Sequence, residues 1–293
     1  MSERDPVVQL FQKVDRQLAK LASKPLAKNV HQFRTATRRL EAVLEEFVPV
    51  QGRNRRKLLK DLSQMRRRAG RVRDLDVHMA ALRNLRVPQD ASRKRQVLRV
   101  MSEKRVGREK KLQRALRPDN LAKLQKRLKR AVRNWQRIAQ KPDPALVAST
   151  MLRQLVSTPG PLTEKLLHHY RINGKHVRYV AELAQGNSQA DAIVAKLQRM
   201  QDSLGEWHDW LTLTVAARKI IGETPQSPLI SALNNITRAK FRDAVQIVTE
   251  TKTNFFKSLG IDVFPSKDLD SADADSRRKP NAQPGQMTTA AIA

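Results

Sequence analysis

The 293-residue sequence contains no cysteine. That excludes disulfides and thiolate metal sites and fits a reducing compartment. A chain of this length buries a sizeable core without such staples. Long apolar runs are also missing. No stretch is long enough to span a bilayer, and the opening MSERDPVVQLFQKVDRQL lacks the apolar centre of a signal peptide. These absences predict a soluble cytoplasmic protein with no membrane partner. Aromatic residues are scarce, at 4% of the chain. Proteins that hold single-stranded nucleic acid stack bases on aromatic rings, so a stacking platform is not expected. Acidic residues are few as well: 28 Asp+Glu stand against 58 Lys+Arg, a formal net charge of +30. Such an excess repels itself in a compact state and is suited to meeting a polyanion. An anion without bases fits this composition better than RNA does.

The charge is unevenly spread. Through Leu146 there are 40 basic and 14 acidic residues, net +26; from Val147 onward there are 18 and 14, net +4. Between Gln51 and Arg73 ten basic residues meet one acidic residue, Asp61. From Arg93 to Arg117 eleven meet two, a pattern read as a long exposed helix adding long-range attraction.

Helical period runs almost throughout. Val7, Leu10, Phe11, Val14, Leu18 and Leu21 step by three and four, as do Val30, Phe33, Leu40, Leu44 and Phe47. No convincing alternating strand appears. Breaks fall at Pro25, Pro49–Gly52, Gly70, Pro88, Pro118, the KPDP at 141–144, the TPGP at 158–161, Gly186 and Pro225–Pro228. The expectation is an all-α protein of about ten helices built as bundles. Beyond Pro265 large apolar residues nearly vanish, so 265–293 is expected to be a disordered polar tail.

One stretch has a second copy. VHQFRTATRRLEAVLEE (30–46) matches LHHYRINGKHVRYVAEL (167–183), pairing His31 with His168, Phe33 with Tyr170, Arg34 with Arg171 and Arg38 with Lys175. Further on, LSQMRRRAGRVRDL (62–75) resembles LQRMQDSLGEWHDW (197–210). Two blocks in the same order at nearly the same separation imply a duplicated helical unit, two bundles related by a pseudo-two-fold. The repeats would run from about 5 to 140 and from about 145 to 264. On a helix His31, Arg34 and Arg38 share one face, and His168, Arg171, Lys175 and Arg178 do the same. A basic row beside a buried stripe points into a groove between helices. There, guanidinium forks match phosphate oxygens and Lys adds a point charge. The two histidines either contact the anion or fix helix crossings. Arg39, Arg55, Arg66 and Arg73 are candidate extensions of the track, and Tyr179 is expected to pack near Arg178.

Gly70 and Gly205 each end an amphipathic run and read as helix C-caps, with Asp74 and Asp209 opening the next helix. The His208–Asp209 pair has Arg73–Asp74 as its counterpart. The Asp recurs and the His does not, so no metal site is read there. No nucleophile elbow, Walker loop or H-E-x-x-H is present, so no catalytic residue and no cofactor is implied.

Taken together, H-x-x-R-x-x-x-R-R, the RDLDV block, H-x-x-R-x-x-x-K and the L-x-x-M-Q-x-x-L-G-x-x-x-D block resemble the CHAD family, the conserved histidine α-helical domain, over about residues 1–264. The resemblance implies two four-helix bundles with a basic groove or cavity between them. It implies binding of inorganic polyphosphate and, in bacteria, association with polyphosphate granules. The E-x-E-x-K signature of a CYTH triphosphatase, a common fusion partner in the family, is not found, which points to a stand-alone CHAD protein. The competing readings are a general nucleic-acid binder of phosphate backbones and a metal-dependent phosphohydrolase.

Overall fold

Six apolar residues at steps of three and four, Val7, Leu10, Phe11, Val14, Leu18 and Leu21, are all buried along one side of α1 (Pro6–Ser23). Asp5 starts that helix: its carboxylate accepts from the Val7 amide at 2.9 Å, and Pro6 supplies a pre-set first turn. The same Asp-Pro device opens α6. In this computed structural model, residues 5–48, 52–184, 186–222 and 227–258 are described. Regular structure among them is helical: α2 (Ala27–Glu46), α3 (Arg53–Asn84), a 3-10 turn (Pro88–Asp90), α4 (Ala91–Ala115), α5 (Pro118–Gln136), α6 (Pro144–Val156), α7 (Glu164–Ala181), α8 (Ser188–Ile221) and α9 (Pro228–Ser258). The all-α expectation is met. The expected polar tail at 265–293 lies outside the described residues.

Helices α1, α2, α3 and α5 pack in a closed ring, α5 against both α3 and α1. The neighbour pattern α1–α2–α3 recurs as α6–α7–α8, with α2 and α7 in direct contact. The α3 and α8 helices are long, 32 and 34 residues. Their C-terminal halves meet α4 and the start of α9 in one apolar cluster that includes Met79, Leu82, Met101, Leu213 and Leu233. Asp90 ties this region down. Its carboxylate accepts from the Ser227 hydroxyl at 2.5 Å and the Leu229 amide at 3.1 Å, at the N-terminus of α9, where an anion is favoured. The contacts form one compact unit as far as Lys252; the end of α9, from Thr253, falls in a second.

Gly70 and Gly205 do not cap helices. Both lie inside continuous helices, α3 and α8, and Asp74 and Asp209 follow one turn later on the same rods. Glycine inside a helix costs about 1 kcal/mol relative to alanine, so each position calls for a tertiary reason. For Gly70 the reason is visible. A Cβ there would overlap Arg34 Nη1 and sit 3.2 Å from its Cζ. The missing side chain lets the Arg34 guanidinium cross the backbone of α3. Helix α4 is largely exposed as expected, apart from Val97, Met101 and Leu112, which are buried.

Candidate functional site

The basic faces of α2 and α7 meet where these helices pack, and α3 and α8 complete the walls of a groove of about 570 Å³. His31, Arg34 and Arg38 reach it from α2, and Arg73 from α3. Arg171, Lys175, Arg178 and Tyr179 reach it from α7. Eight of the twelve expected binding residues thus share one wall-to-wall space. Their heptad-like spacing explains why: the apolar neighbours Phe33, Leu40, Leu167 and Tyr170 are buried, which leaves the adjoining stripe along the margin of the packing interface.

The groove is not uniformly basic. Asp74, Asp202, Glu206 and Asp209 also line it, the last three from α8. Most of the charges are answered locally. Arg34 Nη2 stands 3.7 Å from Asp74. Arg178 donates to Gln198 and faces Glu182 at 3.6 Å. Glu206 pairs with Lys240 at 2.8 Å. Among the described residues, Arg38, Arg171 and Lys175 have no ion pair or side-chain hydrogen bond. All three are half-buried, and Arg171 Nε is enclosed without an acceptor.

Burial, then the neighbouring Arg171 and Arg38, push the Lys175 ammonium down from its ordinary value to about 7. Burial and Arg38 likewise lower Arg171, while burial lowers Arg34 against the pull of Asp74. Asp209 is raised by burial in spite of Arg171 and His78. Partial burial, Arg73 and Arg34 hold His31 below the usual imidazole range. These shifts describe cations confined together, where burial and mutual repulsion outweigh the pull of Asp74 and Asp209.

The remaining expected residues sit elsewhere. His168 is exposed on α7 and faces the His208 ring, centroids 5.6 Å apart, rather than lining the groove. Burial, then Arg171 and His168, drive His208 to about 3, so its imidazole is neutral near pH 7. Arg66 is held by Glu41 at 2.6 Å and lines an adjoining recess of about 350 Å³, which shares Arg38, Arg171, Lys175 and Tyr179 with the groove. Arg39 pairs with Glu182 at 2.6 Å and faces a separate trough beside α1. Arg55 is committed to the last turn of α2. Its Nε donates to the Leu44 carbonyl at 2.5 Å and its Nη2 to that of Glu45 at 3.1 Å. It closes a helix end and does not extend the groove. Tyr179 packs as expected, with the Arg178 guanidinium 5.4 Å from its ring centroid and that of Arg39 at 5.9 Å.

Sequence reasoning missed the contribution of α8. Gln198, Gln201, Asp202, Gly205, Glu206 and Asp209 all face the groove, and the Gln201 amide anchors α8 to α7 by donating to the Gly174 carbonyl at 2.8 Å. The signal was present in steps of three and four, but Gly205 read as the end of the helix. His78, buried on α3, lies 3.0 Å from the Thr212 hydroxyl. Among the described residues no group of three or more His, Asp or Glu side chains is placed to hold a metal ion, and no helix is long and apolar enough to cross a membrane.

Comparison with known proteins follows the same lines. No curated protein matches in sequence. Among solved structures, the CHAD domain from the plant Ricinus communis superposes with a TM-score of 0.60 at 16% identity, covering 85% of this chain and 90% of that one. PptA from Streptomyces chartreusis superposes with a TM-score of 0.57 at 14% identity, covering 86% of this chain and 97% of that one. These likenesses are likenesses of fold. The CHAD domain model matches residues 9–218, a span that carries both basic helix faces and the groove they form. The chain belongs to the CHAD domain family.

Proposed function

We propose that this protein binds inorganic polyphosphate in the groove between α2 and α7, without turning it over, and gathers at polyphosphate granules. The observation that carries the reading is the trio Arg38, Arg171 and Lys175. Three half-buried basic side chains with no ion pair among the described residues, one of them pushed down to about 7, are costly to confine. An entering phosphate chain relieves that cost with charge-assisted hydrogen bonds. Arg34, braced across Gly70, and Arg73 extend the contact surface along α2 and α3. No nucleobase platform is needed, which suits a chain with 4% aromatics. Membership of the CHAD family supports the same ligand class.

The test is a titration with long-chain polyphosphate and with duplex DNA across one salt series. Both affinities fall with salt through counterion release, so the comparison at each salt decides. Polyphosphate is expected to bind more tightly, and equal or weaker binding would favour the backbone-binding nucleic-acid reading. Replacing Arg34, Arg38, Arg171 and Lys175 by Ala is expected to weaken polyphosphate binding with helicity intact. Unchanged affinity would mean that the exposed basic runs do the binding. Phosphate release in the presence of Mg²⁺ or Mn²⁺ would replace the non-enzymatic reading with a phosphohydrolase. A fluorescent fusion imaged in cells with and without polyphosphate synthesis tests the granule association.

A further inference from the structure

A second basic concavity lies on another side of the molecule, along the furrow between α3 and α5. At one end Arg68, Lys111 and Arg114 surround a space of about 440 Å³; at the other Arg53, Lys57, Lys126 and Arg130 surround one of about 480 Å³. Lys123 and Arg127 line both spaces and join them into one furrow. Against these nine cations stands a single acid, Asp61, which is taken up by Arg127. The other eight have no ion pair among the described residues.

Elsewhere on α4 a cation that faces α3 finds acidic partners. There Arg105 holds both Asp76 and Glu109 at 2.6 Å. Apart from Asp61 the furrow omits such partners, so it concentrates positive potential in a concave strip. It is more one-sided than the α2–α7 groove, which carries four carboxylates. It contains no Phe, Tyr or Trp, so it offers phosphate contacts and no base stacking.

We propose that the α3–α5 furrow is a second polyphosphate-binding track, separate from the α2–α7 groove, and that the two tracks make this protein a bivalent cross-linker of polyphosphate chains. The proposal rests on the polyphosphate reading of the groove and adds a distinct place and consequence. The two places differ in kind. The groove holds half-buried cations and gives fixed geometry, whereas the furrow cations, chiefly exposed, give long-range capture. A chain bound at one track leaves the other free for a second chain or a distant segment of the same one, and multivalency of that sort gathers polymers.

The experiment uses the full chain in three forms: wild type, a groove variant (Arg38→Ala, Arg171→Ala, Lys175→Ala) and a furrow variant (Lys123→Glu, Lys126→Glu, Arg130→Glu). Lys123, Lys126 and Arg130 are exposed, and circular dichroism checks that each form stays helical. Calorimetric titration with a short polyphosphate is expected to give two equivalents bound for wild type and one for each variant. Long-chain polyphosphate is expected to produce turbidity with wild type and none with either variant. One equivalent on wild type, unchanged in the furrow variant, overturns the second track while leaving the groove reading in place. Two equivalents that survive the groove substitutions but fall with the furrow ones overturn the groove reading instead. If the furrow variant loses duplex DNA but keeps polyphosphate stoichiometry, the furrow is a nucleic-acid surface and the proposal fails.

Discussion

Alanine at Gly70 and alanine at Gly205 are, on helix propensity, the same change. Each replaces an interior glycine of a long helix and is worth about 1 kcal/mol of stabilisation where the new methyl meets nothing. At Gly205 a Cβ has no heavy atom within 4 Å. Gly205→Ala is therefore expected to raise Tm by about 2–4 °C, the rise that ~1 kcal/mol gives in a domain of this size. At Gly70 the Cβ overlaps Arg34 Nη1 and crowds its Cζ at 3.2 Å. The guanidinium must swing off α3 and lose its 3.7 Å approach to Asp74. Packing lost by Arg34 offsets much of the propensity gain, so Gly70→Ala should leave Tm nearly where it was. Its larger effect is on the ligand. A displaced Arg34 forfeits a charge-assisted hydrogen bond worth about 1.5–3 kcal/mol, roughly a tenfold to hundredfold loss in polyphosphate affinity. Thermal unfolding followed by circular dichroism, together with a polyphosphate titration of both variants, makes the comparison. Two variants equally stabilised and equally tight would refute the reading that Gly70 exists to seat Arg34.

The unliganded Lys175 near 7 makes binding depend on pH. A bound anion favours the charged ammonium, so binding takes up a proton above pH 7. Affinity for long-chain polyphosphate should fall as pH rises from 7 to 9, approaching tenfold per unit. Lys175→Arg, which stays charged, should flatten that profile; a pH-independent wild type would sink the argument. In the free protein the sign for stability is opposite. The unfolded state binds the Lys175 proton up to its ordinary value near 10.5 and the folded state only up to about 7. Stability therefore gains from this residue as pH rises through that window, and Lys175→Met should remove the gain in denaturant titrations at pH 7 and 9. Asp90→Ala strands the Ser227 hydroxyl and the Leu229 amide at the start of α9. It is expected to cost about 2–4 kcal/mol, read by urea unfolding. Burial pushes the Asp90 carboxyl up, but the Ser227 and Leu229 hydrogen bonds and Arg93 outweigh it and hold the group below its usual range. Its contribution is thus present above about pH 4 and is lost as pH falls through the lowered folded value; an Asp90→Ala protein as stable as wild type at pH 7 would contradict this.

Helix periods were readable because α1 and α2 bury one stripe each, and Pro25, Pro88, Pro118 and Pro144 fall between helices or at their first turns. The two basic faces were readable for the same reason, since residues three and four apart share a side. Glycine misled because its local meaning, a cap, differs from its tertiary one. Gly70 is dictated by a guanidinium from another helix. The arginines of α3 could not be sorted along one sequence either. Arg73 lines the groove, Arg66 serves Glu41 and Arg55 closes α2. Only the crossing of α2 over α3 separates these roles. The carboxylates of α8 were not placed in the groove because Gly205 read as a helix end, which set Asp209 on a new helix instead of on the rod that carries Asp202 and Glu206. Asp202, Glu206 and Asp209 leave a narrower set of unanswered cations on α2 and α7.

The unbroken α3 and α8 have a mechanical consequence. Each carries groove residues near its middle and an apolar cluster toward its end: Arg73 and Leu82 on α3, Asp209 and Ala217 on α8. The stretch between is roughly 13 Å of continuous helix. No turn or hinge lies between them, so the α3 and α8 walls of the slot are tied to a remote cluster, where Met79, Leu82, Leu213 and Leu233 interlock, while α2 and α7 meet directly. A slot built that way behaves as a rigid die and not as a closing hand. It would demand little reordering of the site when the proposed polyphosphate ligand binds, and a methyl trimmed from that distant cluster would be felt as a change of fit where no residue had been altered.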